Sequence, residues 1–160
     1  VFPHLTVLQN VRVALQRPKR MATQWWRSVA VLAALDPDAE RLLETVQLMP
    51  WKDMIAAELP YGRKRALEIA TTLALDPDML LLDEPMAGLG IEEIEQVTAL
   101  LRRVAAGKTV LLVEHNLSVV AELCDRITVL ARGARLAEGS YAEVNADPRV
   151  QEVYLGVGHA

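Results

Sequence analysis

Apolar positions along this chain follow two periods, a helical one first and a strand-and-helix alternation later. Val7, Leu8, Val11 and Leu15 share one helical face behind Thr6, a residue suited to capping a helix start, and Pro18 stops the pattern. Leu42, Leu43, Val46 and Met49 make a second stripe, opened by Asp36 or Asp38 and closed before Pro50. Between them Trp25 and Trp26 stand side by side, and two adjacent rings cannot both face one core. One of the pair either lies partly exposed beside a helix end or meets a partner. The next pattern predicts a helix over 61–75. Leu80, Leu81 and Leu82 follow without polar alternation, which predicts a central parallel strand covered on both faces. A helix over 91–106 presents Ile91, Ile94, Val97, Leu101 and Val104 on one side. Then come a strand over 109–113, a short helix over 117–124, a strand over 126–130 and another over 135–138 after a turn at Gly133. This order predicts an α/β fold with a parallel sheet and an added edge strand, preceded by a helical region that ends near Asp76-Pro77.

The ends of the predicted strands carry the chemistry. Asp83 and Glu84 close the leucine-rich strand, at the edge where open parallel sheets bind their ligands. One carboxylate there can hold Mg²⁺ through water while its neighbour orients an attacking water. A helix cap or an acidic surface turn is the plainer alternative. Glu114 and His115 close the next strand, where an imidazole can donate to a phosphate or simply bond a backbone carbonyl. Arg63, Lys64 and Arg65 crowd the first turn of the helix over 61–75, where the macrodipole makes each cation unfavourable by about 0.3–1 kcal/mol unless an anion is near. Phosphate would satisfy them through the backbone at Gly62 and its successors, and pairing of Lys64 with Glu68 is the alternative or the complement. His4 and His159 have no comparable context.

Gly107-Lys-Thr109 looks like the tail of a phosphate-binding P-loop, but Arg102 stands where the loop needs glycine and a strand follows where it needs a helix. The tripeptide is predicted to be a turn, and the sequence contains no Walker A motif.

Composition narrows the class. With 160 residues, 52% of them hydrophobic and 24% charged, the chain can bury a real core. No apolar run approaches the roughly 18 residues of a membrane-spanning helix. The single Cys124 allows no intrachain disulfide. A net charge of −4, with basic clusters only at residues 63–65 and 102–103, disfavours nucleic acid as a partner. Val1 is not Met, and the opening Val-Phe-Pro-His-Leu-Thr leads us to expect further sequence upstream.

Taken in order, these motifs resemble those of the ATP-binding subunits of ABC transporters, particularly branched-chain amino-acid importers. Phe2-Pro-His-Leu-Thr-Val-Leu-Gln-Asn-Val11 is similar to the segment after the family's Gln loop, Leu59-Pro-Tyr-Gly-Arg63 to the signature motif, and Leu80-Leu-Leu-Asp-Glu-Pro85 to Walker B. Ala87-Gly-Leu-Gly90 stands at the D-loop and Val113-Glu-His-Asn116 at the switch-histidine loop. The tail, from Asn145-Ala-Asp-Pro-Arg-Val150 to Tyr154-Leu-Gly156, adds to the likeness.

The resemblance implies a partial P-loop NTPase (RecA-like) parallel sheet with an α-helical subdomain. Residues 1–76 would form the helical subdomain and 77–160 the C-terminal half of the ATP-binding core. It implies ATP and Mg²⁺ as ligands, with Asp83 holding Mg²⁺ through water, Glu84 polarising the attacking water and His115 sensing the γ-phosphate. Pro60, Tyr61, Gly62 and Arg63 would meet the ATP of a partner subunit, beside Gly88 and Gly90 of the D-loop. The commoner signature has Ser-Gly-Gly-Gln after the leucine, so Pro60 lacks both a hydroxyl and a backbone donor. Gly90 replaces an Asp, so no carboxylate contact across the dimer is carried over at that position.

The implied partners are a second ATP-binding subunit, packed head to tail, and membrane permease subunits. The implied location is peripheral, at the cytoplasmic side of the cell membrane. Without Walker A, these 160 residues by themselves are expected to bind ATP poorly and hydrolyse almost none. A non-catalytic interaction module and a soluble ABC ATPase not coupled to transport are the competing readings.

Overall fold

The computed structural model describes residues 1–19 and 29–155, so Trp25, Trp26 and His159 lie outside the described residues. It comprises two units, Val1–Leu111 and Leu112–Ala160.

The first unit begins with α1 (Val7–Leu15). Thr6 caps it as expected: its hydroxyl accepts from the Gln9 N–H at 3.2 Å, and the Gln9 side chain accepts from the Thr6 N–H at 2.9 Å. Val7, Leu8, Val11 and Leu15 are all buried. Asn10 is buried with them, because its amide ties down the residues ahead of the helix. Its Oδ1 accepts from the Phe2 N–H at 2.7 Å, and its Nδ2 donates to the carbonyls of Phe2 and Thr6, both at 3.0 Å.

Helix α2 (Asp36–Thr45) opens on Asp36, which sits in the first turn and accepts from Nε and Nη2 of Arg12. The N-cap is Leu35, with no side-chain cap bond. The helix stops before the expected stripe is complete, since Gln47 turns the backbone at φ 59°. Leu48 therefore becomes fully buried, and Met49 begins a short 3-10 turn, Met49–Trp51.

Helix α3 (Tyr61–Leu73) ends two residues earlier than its pattern suggested. Leu67 and Ala70 are completely buried, and the helix packs against α1, α2 and α4 (Ile91–Val104). In α4, Val97, Leu100, Leu101 and Val104 face inward, whereas Ile91, expected on that stripe, is exposed. It sits at the first helical position, where the turn still points toward the preceding loop.

Strands β1 (Met79–Asp83) and β2 (Thr109–Val113) form a two-stranded sheet. The Thr109 N–H donates to the Asp78 carbonyl at 3.1 Å, so the two strands start side by side and run parallel. The expectation of cover on both faces of β1 does not hold: Leu80 is 2% exposed, but its neighbour Leu81 is 70% exposed. An apolar run shows that both faces suit burial, and only one of them meets cover among the described residues. Gly107 adopts φ +75°, and Thr109 enters a strand, so Gly107-Lys-Thr109 is a turn. Lys108 there donates to the Pro77 carbonyl at 2.8 Å.

The second unit contains α5 (Leu117–Leu123), β3 (Ile127–Ala131), β4 (Ala134–Gly139), α6 (Tyr141–Ala146) and α7 (Pro148–Leu155). Arg132 and Gly133 both take positive φ, which makes the tight two-residue turn of an antiparallel hairpin. Strand β3, expected to continue the parallel sheet, pairs only with β4 among the described residues. Sequence order gave the strands, and the turn chemistry decided their neighbours. Val129, Val144 and Val150 form the core, with Ile127, Leu136 and Ala137 packed around it. Helices α6 and α7 were not expected. Ser140 and Glu143 cap α6 reciprocally, and Asp147 at the α7 start accepts from the Arg149 N–H at 2.9 Å. Among the described residues, no helix is long and apolar enough to cross a membrane.

Two tests follow from these contacts. Asn10→Ala leaves the Phe2 amide and carbonyl without their buried partner, so a loss of about 1–3 kcal/mol is expected in urea denaturation. In the second unit, the Arg149 side chain, aided by its backbone N–H, holds Asp147 down at about 2. Hydrogen bonds from Ser140 lower Glu143, and Arg126 lowers Glu138. Carboxyls lowered in the folded state add stability that is complete above their unfolded values and is lost as pH falls through their folded ones. Circular dichroism between pH 5 and about 2 should therefore show α6, α7 and the β3–β4 hairpin weakening as pH drops, with no such change between pH 5 and 7.

Candidate functional site

Buried Leu80 anchors β1, and the strand delivers Asp83 and then Glu84 to an exposed tip. Glu84 adopts φ +43°, a left-handed conformation uncommon for a residue with a side chain and concentrated where function over-rides backbone preference. Its carbonyl accepts from the Ala87 N–H at 3.0 Å, closing a turn whose Pro85 and Met86 are buried beneath it. The two acids are thus exposed on a short turn that rests on buried residues. Their oxygens suit a hard cation such as Mg²⁺. Among the described residues, no three His, Cys, Asp or Glu side chains gather into a metal cage. Mg²⁺ needs none, since one carboxylate, water and substrate phosphates complete its shell.

The Pro60–Arg63 turn lies against the loop that follows the two acids. Gly88 takes φ +76°, and the Tyr61 ring lies beside it, where a Cβ on Gly88 would make ordinary van der Waals contact at 3.4 Å. The carboxylate of Glu93, in the first turn of α4, bridges the two segments. Its Oε1 accepts from the Gly62 N–H and its Oε2 from the Gly90 N–H, each at 3.0 Å. The amide expected to cradle phosphate at Gly62 is therefore held by a carboxylate of the same chain. The adjacent cations are also engaged. The Arg63 guanidinium lies 4.3 Å above the Trp51 ring, and Arg65 pairs with Glu68 at 2.6 Å. The expected partner of Glu68 was Lys64. The three-residue spacing from Arg65 serves instead.

His115 belongs to the second unit, after β2 and before α5. The Glu114 side chain is fully buried and accepts from the N–H groups of His115 and Asn116 at 2.9 and 3.1 Å. Asn116 then caps α5 by accepting from the Ser118 N–H at 3.1 Å. This folded-back turn leaves the imidazole 70% exposed, with Nδ1 3.9 Å from Glu114 Oε2.

Asp83, Glu84, Gly88, Gly90 and the Pro60–Arg63 turn all lie in the first unit. Sequence reasoning missed Glu93 and Trp51. Glu93 had a legible signal, an acid three residues after the helix-capping position, but nothing in the sequence points from it to Gly62, 31 residues earlier. Trp51 had none.

Comparison with known proteins gives these positions a context. The family model for ABC transporters matches residues 1–87, and the model for branched-chain amino acid ATP-binding cassette transporters matches 134–160. The chain is 38% identical to the high-affinity branched-chain amino acid transport ATP-binding protein BraF of Pseudomonas aeruginosa, over 98% of its own length and 64% of that protein. It is 34% identical to LivG of Salmonella typhimurium, a protein of the same description, with the same coverage. The chain thus spans about two-thirds of the length of these relatives. Among solved structures, the ADP conformation of an ATP-binding cassette of an ABC transporter superposes with a TM-score of 0.73 at 27% identity, covering 96% of this chain and 64% of that one. The fold is accordingly that of the P-loop NTPase cassettes, and the chain belongs to the ABC transporter family of ATP-binding proteins.

Proposed function

We propose that this chain supplies the signature turn and the hydrolytic carboxylates of an ATP-hydrolysing subunit that powers import of branched-chain amino acids. The observation that carries the proposal is the tip of β1, where Asp83 and Glu84 are held outward by a left-handed turn over buried Pro85 and Met86. Family membership and the likeness to BraF and LivG support the choice of substrate chemistry and of solute.

In this reading, residues 1–76 are the helical subdomain and 77–160 the C-terminal half of the ATP-binding core. Asp83 holds Mg²⁺ through water, and the cation, when bound, neutralises charge developing on the phosphates. Glu84 accepts a hydrogen bond from the attacking water, orienting it and increasing its nucleophilicity. His115 donates to the γ-phosphate, on a turn that Glu114 keeps fixed. Pro60, Tyr61, Gly62 and Arg63 face the ATP of a second subunit packed head to tail, with Gly88 and Gly90 beside them. Permease subunits in the membrane receive the motion, which places the protein at the cytoplasmic face. ATP enters as substrate and needs a Walker A loop for its β- and γ-phosphates, so these 160 residues alone are inactive.

Steady-state Mg-ATP hydrolysis by the full-length gene product tests the assignment. Glu84→Gln should lower turnover about 10²–10⁴-fold with nucleotide binding retained, and equal rates in the two proteins would remove Glu84 from the chemistry. His115→Ala should lower turnover about 10²–10³-fold, as loss of one charge-stabilising donor does. Affinity purification from membranes should bring permease subunits with the protein. Recovery of the ATPase alone, under conditions that keep membrane complexes intact, would favour a soluble ATPase.

A further inference from the structure

Helix α3 has a peculiar start. Pro60 at its N-cap offers no side-chain hydrogen bond, and the first turn contains no acid although it holds Arg63 and Lys64, with Arg65 directly after. An isolated helix with this start would be poorly capped and electrostatically unfavourable. Glu93 supplies what is missing from 31 residues away: one carboxylate oxygen accepts from the Gly62 N–H, and the other accepts from the Gly90 N–H at the start of α4. One side chain therefore caps two helix N-termini at once. Gly90 has no side chain with which to complete a capping box, so at this start the Glu93 carboxylate alone supplies the side-chain hydrogen bond. The fit is tight, since a Cβ on Gly62 would approach Glu93 Oε1 to 2.7 Å. Tyr61 against Gly88 adds a second, apolar contact between the same two segments.

We propose that Glu93 is a positioning residue that locks the Pro60–Arg63 turn to the Gly88–Gly90 loop, so that the segment after the hydrolytic acids and the segment facing the partner's nucleotide move as one piece. This rests on the reading that the start of α3 faces ATP. Because Glu84 and Gly90 lie on one short loop, any displacement at the strand tip is passed through the Glu93 carboxylate to Gly62. The carboxylate also fixes which backbone amides remain for an incoming phosphate, since Gly62's own is engaged.

The test uses the full-length protein with Glu93→Ala and Glu93→Gln. Glu93→Ala should lower kcat about 10- to 100-fold with KM for Mg-ATP changed less than about twofold, as misplacement of a positioned group does. Glu93→Gln, which keeps one acceptor oxygen, should fall between alanine and wild type. Hydrogen exchange should accelerate at the Gly62 and Gly90 amides in Glu93→Ala and stay unchanged in the middle of α3 and α4. A purely structural role would instead lower the melting temperature and leave kcat per folded molecule intact, and that result overturns the proposal. Unchanged exchange at the two amides overturns it as well. If wild type hydrolyses Mg-ATP and Glu93→Ala does so equally, the lock fails and the ATPase reading stands. If wild type hydrolyses none, the ATPase reading itself fails.

Discussion

The first unit depends on the burial of α3. Leu67 and Ala70 are sealed between α1, α2 and α4, and this one helix contacts every other long helix of the unit. Its small residues, Ala66 and Ala70, let neighbours approach closely, while Leu67 and Ile69 supply the apolar bulk. This packing continues to the helix start, at the Pro60–Arg63 turn. A loosened middle would let the Gly62 amide drift from Glu93 and the Arg63 guanidinium from Trp51, although neither contact belongs to the core.

Charge at that start illustrates how a sequence can state a requirement without naming what meets it. Three consecutive cations at a helix N-terminus call for an anion. Phosphate was a reasonable candidate, yet carboxylates and a ring within the chain already answer part of the demand. Arg63 rests on Trp51, Arg65 pairs with Glu68, and Glu93 holds Gly62. The surface offered to a ligand is therefore less cationic than the residue names imply.

Elements governed by local chemistry were legible. Thr6 before a helical stripe gave α1 its start, and the leucine run ending in Asp83-Glu84 gave β1 and its exposed tip. Features that depend on distant residues were not. Among the described residues β3 pairs only with β4, through a turn in which Arg132, with no special propensity for positive φ, joins Gly133. The exposure of Leu81 could not be read because an apolar side chain looks the same whether or not something covers it. Helices α6 and α7 were overlooked although Ser140 with Glu143, and Asp147 before Pro148, are ordinary start signals; their short stripes hid them. That Asp83 and Glu84 emerge at the strand's end was legible from the apolar run that stops at them and from the sheet-edge rule, whereas the left-handed backbone at Glu84 had no precursor in composition or spacing.

The open side of β1 has a practical consequence. Met79 and Leu81 stand out from the strand on the face away from Leu80, and Leu111 on β2 is similarly bare. Side chains this greasy beside strand backbone attract any other copy that presents the same strip. A preparation of these 160 residues by themselves would clump at modest concentration, and mild detergent or a polar replacement at Leu81 would keep it dispersed.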